Sequence, residues 1–289
     1  MYIIFIMFNY SIYVMIKKSI VFCLTILIIV LGISSCENQD AKIAKENQLS
    51  GKSIEFSGIS WTYQEESVLK KNDLENIFVK DSQLHIKLMF VDSHWIAPRL
   101  LSTDILGYGE YRFKFDRSIH ELDSLFYLHL FCQSYEVDSS QKMKESSQVG
   151  ISLGKKRIND IMNKILYYAR NDKESMSQYN SGSEYMRNEY TTHYISVDSN
   201  YVTFTSYNDY TPMKYNQIAT FKTINRANPN AEVKITYPGE QPLKRASKYL
   251  RAGIELVPSE KVKNYKKNEI EIIIDDFEFI PLKKEESKK

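Results

Sequence analysis

Cysteine is scarce in this 289-residue chain: Cys23 lies in an apolar N-terminal run, Cys36 closes that run, and Cys132 stands alone far downstream. With Cys36 assigned to another role below, a disulfide framework is excluded as the staple of the fold. Histidine is sparse too. His85, His94, His120, His129 and His193 show no metal-ligand spacing, so neither metal nor cofactor is expected. An excess of one charge is also lacking. The chain has 38 basic and 36 acidic residues, and residues 1–35 contain two of the basic ones, Lys17 and Lys18, and no acid. Without them 36 basic residues face 36 acidic ones, with no basic patch, which argues against nucleic acid as a partner.

The long hydrophobic run is confined to the N-terminus. Lys17 and Lys18 precede an apolar stretch from Ser19 to Leu31, and Ile33-Ser34-Ser35-Cys36 follows. Small residues before a cysteine resemble the lipobox of bacterial lipoproteins, which implies a cleaved signal helix and a diacylated Cys36 as mature N-terminus. A plain transmembrane anchor is the alternative reading of the same run. Met15 reads as the start of the signal. Residues 37–51 are polar and without hydrophobic period, and Glu37 after the cysteine resembles surface-export signals of Bacteroidota lipoproteins. The expected organisation is a signal peptide at 1–35, a flexible tether at 36–52, a domain at 53–282 and a charged tail at 283–289. The expected place is the bacterial cell envelope, lipid-anchored in the outer membrane and facing its surface, held there by several acyl chains.

Between 53 and 282 the pattern is β. Leu84, Ile86 and Leu88 alternate, as do Tyr111, Phe113 and Phe115, then Val202 and Phe204, then Ile270, Ile272 and Ile274 followed by Phe277 and Phe279. Strands at this spacing, separated by Gly, Asn and Asp, predict an all-β sandwich or jelly roll. The stretch 158–166 fits a helical spacing, or else a loop before a strand from Lys164 to Arg170 with Ile165, Tyr167 and Ala169 on one face.

In order, Asn76 to Ile86, Trp95 to Leu100, the Gly107-Tyr108-Gly109 turn into a long strand, Thr192-His193-Tyr194-Ile195 with Tyr201 to Phe204, and Glu269 to Pro281 resemble glycoside hydrolase family 16, a concanavalin A-like jelly roll. The resemblance implies that the strand containing SQVGISLGK should carry Glu-x-Asp-x-Glu: nucleophile, assisting acid, acid/base. Residues i, i+2 and i+4 share one face of a strand, so all three would enter one cleft. Here the matching positions are Gln148, Gly150 and Ser152. An amide cannot form the glycosyl-enzyme bond, glycine has no side chain, and a serine hydroxyl is a poor proton donor at neutral pH. The tryptophan that follows this strand in the family is missing after Leu153-Gly154, and the family's Asn-Leu-Trp is replaced around Ala252 to Leu256.

These residues predict a degenerate glycoside hydrolase that binds a polysaccharide without cleaving it. Trp95, Tyr127, His129, Gln148 and Ser152 are the candidate carbohydrate contacts. Each has a plainer role: Trp95 as sandwich core, His129 as a satisfied half-buried histidine, Arg99 nearby as a surface charge. Two other readings stay open. An active retaining β-glycan hydrolase could draw displaced acids from Glu136 and Asp138, though the polar run after them reads as a loop. A structural envelope lipoprotein would need no small ligand.

Overall fold

A computed structural model of the chain describes residues 43, 47, 49, 51–64, 76–91, 94–116, 119, 122, 125–154, 164–171, 175–180, 186, 190–224, 246–259 and 269–282. Two compact units divide at Gln48 and Leu49, and the second holds the β-fold. No helix among the described residues is long and apolar enough to cross a membrane. Cys36, the signal segment and the charged tail lie outside the described residues.

The fold is all-β, with two antiparallel sheets. The strands are β1 (Ser53–Phe56), β2 (Ile59–Gln64), β3 (Ile77–Lys80), β4 (Gln83–Val91), β5 (His94–Ile96), β6 (Arg99–Ser102), β7 (Gly109–Phe115) and β8 (Phe126–Val137). They continue with β9 (Met143–Gly154), β10 (Lys164–Asn171), β11 (Ser175–Asn180), β12 (Thr191–Val197), β13 (Tyr201–Asn208), β14 (Gln217–Ile224), β15 (Leu250–Pro258) and β16 (Glu269–Pro281). The first sheet runs β1-β2-β6-β15-β8-β9-β10-β11. The second runs β14-β13-β12-β7-β16-β4-β3, with β5 paired to β4.

Period-2 alternation produces this sandwich directly. Tyr111, Phe113 and Phe115 of β7, Leu84, Ile86 and Leu88 of β4, and Val149, Ile151 and Leu153 of β9 all enter one buried cluster. Burying a large apolar side chain contributes about 1.5–3 kcal/mol, so each strand is pinned by its inner face. The pairing register is fixed by the same faces, because a one-residue slip would turn them outward. On β16 the apolar phase changes after Ile274. The ladder shifts there between Ile274 and Asp276, and this bulge returns Phe277 to the core.

The Gly-Tyr-Gly turn has two distinct glycine requirements. Gly107 has φ +82°, a conformation that costs other residues strain. Gly109 lies against β16, where an added Cβ would stand 2.5 Å from the Ile280 carbonyl oxygen. The ambiguous segment resolves toward the strand reading: Lys164–Asn171 is β10, with Ile165, Tyr167 and Ala169 in the core. Residues 158–163 lie outside the described residues.

One expectation is corrected. The polar run after Asp138 is not a long loop. Residues 138–142 make a tight turn in which Asp138 Oδ1 accepts from Ser140 N at 2.8 Å and Lys142 N at 3.0 Å. Strand β9 begins at Met143. Short polar residues are compatible with an exposed strand end when a long hairpin partner supplies the ladder.

Candidate functional site

The inner positions of β9 leave Gln148, Gly150 and Ser152 on the opposite, outward face of the first sheet. Register then assigns their neighbours. Ser152 faces His129 and Leu166, Gly150 faces Phe131 and Tyr168, and Gln148 faces Gln133 and Arg170. On β15, Glu255 lies opposite His129, Gly253 opposite Phe131, and Arg251 opposite Gln133. Three cross-strand rows result, and they differ in chemistry.

The middle row alternates large and absent side chains: Leu101 of β6, Gly253, Phe131, Gly150, Tyr168. Leu101, Phe131 and Tyr168 are buried together, with Leu49 packed against them. A Cβ on Gly253 would stand 2.2 Å from the Phe131 ring, and one on Gly150 would stand 2.6 Å from the Tyr168 hydroxyl oxygen. Each glycine is a slot for its neighbour's ring. The position matching the family's middle acid is therefore occupied as well as empty of carboxylate. Leu49, expected in the tether, belongs to this packing.

The row through Ser152 is polar and half-buried. His129 Nδ1 stands 3.9 Å from Glu255 Oε2, and the His129 and Tyr168 rings are 5.8 Å apart. Burial, aided by the positive charge of Arg170, pushes the His129 pKa down to about 4. The imidazole is thus neutral at pH 7, and its contact with Glu255 is not an ion pair. Burial also pushes the Tyr168 phenol well up, and Glu255 adds to the effect. The Tyr168 hydroxyl is buried without a hydrogen-bond partner among the described residues. Beyond this row, the Tyr127 ring covers Gly154, where an added Cβ would meet it at 2.7 Å.

The row through Gln148 is cationic. It reads Arg251, Gln133, Gln148, Arg170 across β15, β8, β9 and β10. Gln133 donates its amide hydrogens to the Ser134 and Ser147 carbonyls, both at 3.2 Å. Its Oε1 accepts from Arg99 Nη2 at 3.2 Å. Arg99 reaches this row from β6 by laying its guanidinium over Phe131, 5.3 Å from the ring centre. Glu145 flanks the row, 4.0 Å from Arg99. Arg251 is 1% exposed and donates to the Ser102 and Thr103 carbonyls. Burial pushes its pKa down from the ordinary arginine value.

On β8, β9, β10 and β15, the outward carboxylates are Glu145 and Glu255. Glu255 is level with Ser152 through His129, and Ser152 is seven residues from Glu145 along β9. Their backbones are thus more than about 20 Å apart at a rise near 3.3 Å per residue, with Arg99, paired opposite Glu255, reaching toward Glu145.

The expected contacts sort unevenly. Tyr127, His129, Gln148 and Ser152 do share a face, but His129 lies beside Ser152 and not beside Gln148. Trp95 lies on β5, which pairs with β4 in the second sheet. Its ring meets Phe90 at a tilt and Phe126 edge-on, with 5.1 Å between centres in each case, and it is part-buried against the core. Arg99 is corrected from a surface charge to a side chain stretched across the face. Glu136 is exposed at the hairpin end, and both Asp138 and its turn lie there in solvent. Phe131, Tyr168, Gln133, Arg170, Arg251 and Glu255 were not singled out from the sequence as parts of this face. Alternation within β15 marks Arg251, Gly253 and Glu255 as outward, but no local pattern states which strands β15 joins.

The fold is a two-sheet jelly roll of the glycoside hydrolase family 16 type. Comparisons with solved structures agree on the fold. A family 16 endo-glucanase from Bacteroides ovatus superposes with a TM-score of 0.50 at 11% identity, covering 76% of this chain and 94% of that one. The catalytic domain of an endo-1,3-beta-glucanase (laminarinase) from Thermotoga petrophila RKU-1 gives 0.49 at 10% identity over 79% and 93%. No family profile matches this sequence, and no curated protein sequence does.

Proposed function

We propose that this chain is a non-catalytic, lipid-anchored glycan-binding protein of the bacterial cell envelope. One observation carries the reading: Gln148, Gly150 and Ser152 occupy the outward positions of β9, and Tyr168 fills the space over the middle one. A nucleophile and a proton donor are both missing there, while Tyr127, His129, Gln148 and Ser152 offer ring faces and directional hydrogen bonds suited to a sugar. The Bacteroides ovatus protein of similar fold is an endo-glucanase, which supports a polysaccharide as the ligand class. If any hydrolysis occurs, glycoside cleavage is the chemistry that the fold favours.

The test uses the detergent-solubilised full chain with β-glucans, galactans and related polysaccharides. Retention in affinity gels without release of reducing ends is the expected result. Reducing ends that appear with the wild type and vanish with Glu136→Gln would instead make it a hydrolase with displaced acids. Labelled palmitate incorporated by the wild type and not by Cys36→Ala tests the anchor.

A second reading has its own support. Burial of Leu101, Phe131 and Tyr168 closes the centre of the face, as a structural lipoprotein without a small ligand would allow. Absence of retention by every glycan tried would favour it.

A further inference from the structure

The cationic row gives the proposed ligand a charge. We infer that the outward face of the first sheet recognises an anionic glycan, one bearing uronate carboxylates or sulfate esters, through Arg170, Gln148 and Arg99. This rests on the glycan-binding reading above and narrows it.

Were Glu-x-Asp-x-Glu present, strands β8, β9, β10 and β15 with β6 would set five outward carboxylates against three arginines. With Gln148, Gly150 and Ser152 in place, Glu145 and Glu255 remain against Arg99, Arg170 and Arg251. Among the described residues of these strands, the outward arginines outnumber the outward carboxylates. Asp104 acts on Arg251 from beyond β6, and that arginine is held by two backbone carbonyls behind the accessible surface.

The accessible groups are placed for an anion. Arg170 is exposed and directly opposite Gln148. Gln148 is part-exposed. Arg99 keeps 25% of its side chain open. Its guanidinium is fixed from below by Phe131 and from the side by Gln133, whose own amide hydrogens are committed to Ser134 and Ser147. A guanidinium fixed before the ligand arrives loses little freedom on binding, and its planar fork matches a carboxylate or sulfate. The positive field reaches neighbouring groups: Arg170 contributes to the downward shift of His129 and opposes the upward shift of Tyr168. A second buried hydroxyl lies in the same region. Tyr135, acted on by Arg99, Arg251 and Glu145, has no hydrogen-bond partner for its hydroxyl among the described residues.

The experiment is affinity electrophoresis of the detergent-solubilised full chain in gels of laminarin (neutral), polygalacturonate (uronate), a sulfated galactan, and polyglutamate, a polyanion that is not a sugar. The expected result is retention by polygalacturonate or the sulfated galactan, little by laminarin or polyglutamate, and weakening with salt. The uronate and sulfate arms distinguish the two sources of charge. Arg170→Gln should weaken retention roughly tenfold or more, the loss of a charge-assisted bond, and Arg170→Lys should restore part of it. Arg170 is exposed, so its variants test the site without touching the core; Arg99→Gln, checked by near-UV circular dichroism, is the second probe. Equal retention by laminarin, unchanged in Arg170→Gln, would overturn the anionic inference and leave glycan binding intact. Retention by polyglutamate equal to that of the anionic glycans would overturn it as general charge attraction. No retention by any sugar would overturn both.

Discussion

Tyr168 lies across Gly150: a Cβ built on residue 150 would stand 2.6 Å from the Tyr168 hydroxyl oxygen and 2.6 Å from the Leu130 carbonyl oxygen. The tyrosine hydroxyl can shift, but the carbonyl belongs to the β8 ladder. Gly150→Ala is therefore expected to destabilise the domain by about 1–3 kcal/mol, the usual cost of overpacking. Urea denaturation reads this, and a variant as stable as the wild type would refute the slot.

Placing acids at the outward positions of β9 should not produce hydrolysis. In Gln148→Glu/Gly150→Asp/Ser152→Glu the middle carboxylate has no room beside Tyr168, and the last lies beside half-buried His129. The expected outcome is no reducing-end release from β-glucans. Measurable turnover by the triple variant would show that side chains alone, and not the packing around them, separate this face from a hydrolytic one.

The Tyr168 hydroxyl is buried without a partner among the described residues. Leaving such a group unsatisfied costs about 1–3 kcal/mol. Tyr168→Phe should therefore be neutral or stabilising by about 1 kcal/mol in thermal unfolding, while Tyr168→Ala should destabilise by several kcal/mol through the lost ring.

His129 gives a pH signature. Its folded pKa, about 4, lies below the ordinary 6.5. Between those values the unfolded chain binds more protons than the folded one, so this group's contribution to stability is full above pH 6.5 and falls as pH drops toward 4. The loss is at most about 3 kcal/mol, and less because 29% of the side chain is open to water. Denaturant unfolding of wild type and His129→Gln at pH 7.5 and 4.5 should show a smaller acid loss in the variant. An NMR-titrated pKa near 6.5 would contradict the burial argument.

Cys132 is fully buried in the core, and burial pushes its thiol pKa well above the usual range. Thiolate is the reactive form. A maleimide reagent should leave Cys132 unmodified in the native protein and label it in 6 M guanidinium. Rapid native labelling would mean that β8 opens.

The inner faces were legible because alternation is local. Val149, Ile151 and Leu153 announce which side of β9 is core, and so, by subtraction, that Gln148, Gly150 and Ser152 look outward. The change of phase from Ile274 to Phe277 even marks the bulge in β16. The outward face was only half legible. His129 and Tyr127 could be placed on one face from SLFYLHLF alone, but not beside Ser152 rather than Gln148, because cross-strand register depends on a turn whose end at Met143 was hidden in a polar run. Trp95 was ambiguous because a lone tryptophan has no period; its contacts with Phe90 and Phe126 set it part-buried against the core.

By itself the sequence determined that this is a sandwich with apolar interiors and that Gln148, Gly150 and Ser152 stand outward on one strand, since side-chain identity and period-2 burial act over a few residues. Tertiary structure alone decided what surrounds them. Strands β8, β9 and β10 follow one another in the sequence, but β15 pairs with β8 across more than a hundred residues, and only hydrogen-bonded pairing sets Tyr168 over Gly150 and brings Arg99, Arg170 and Arg251 around two glutamines.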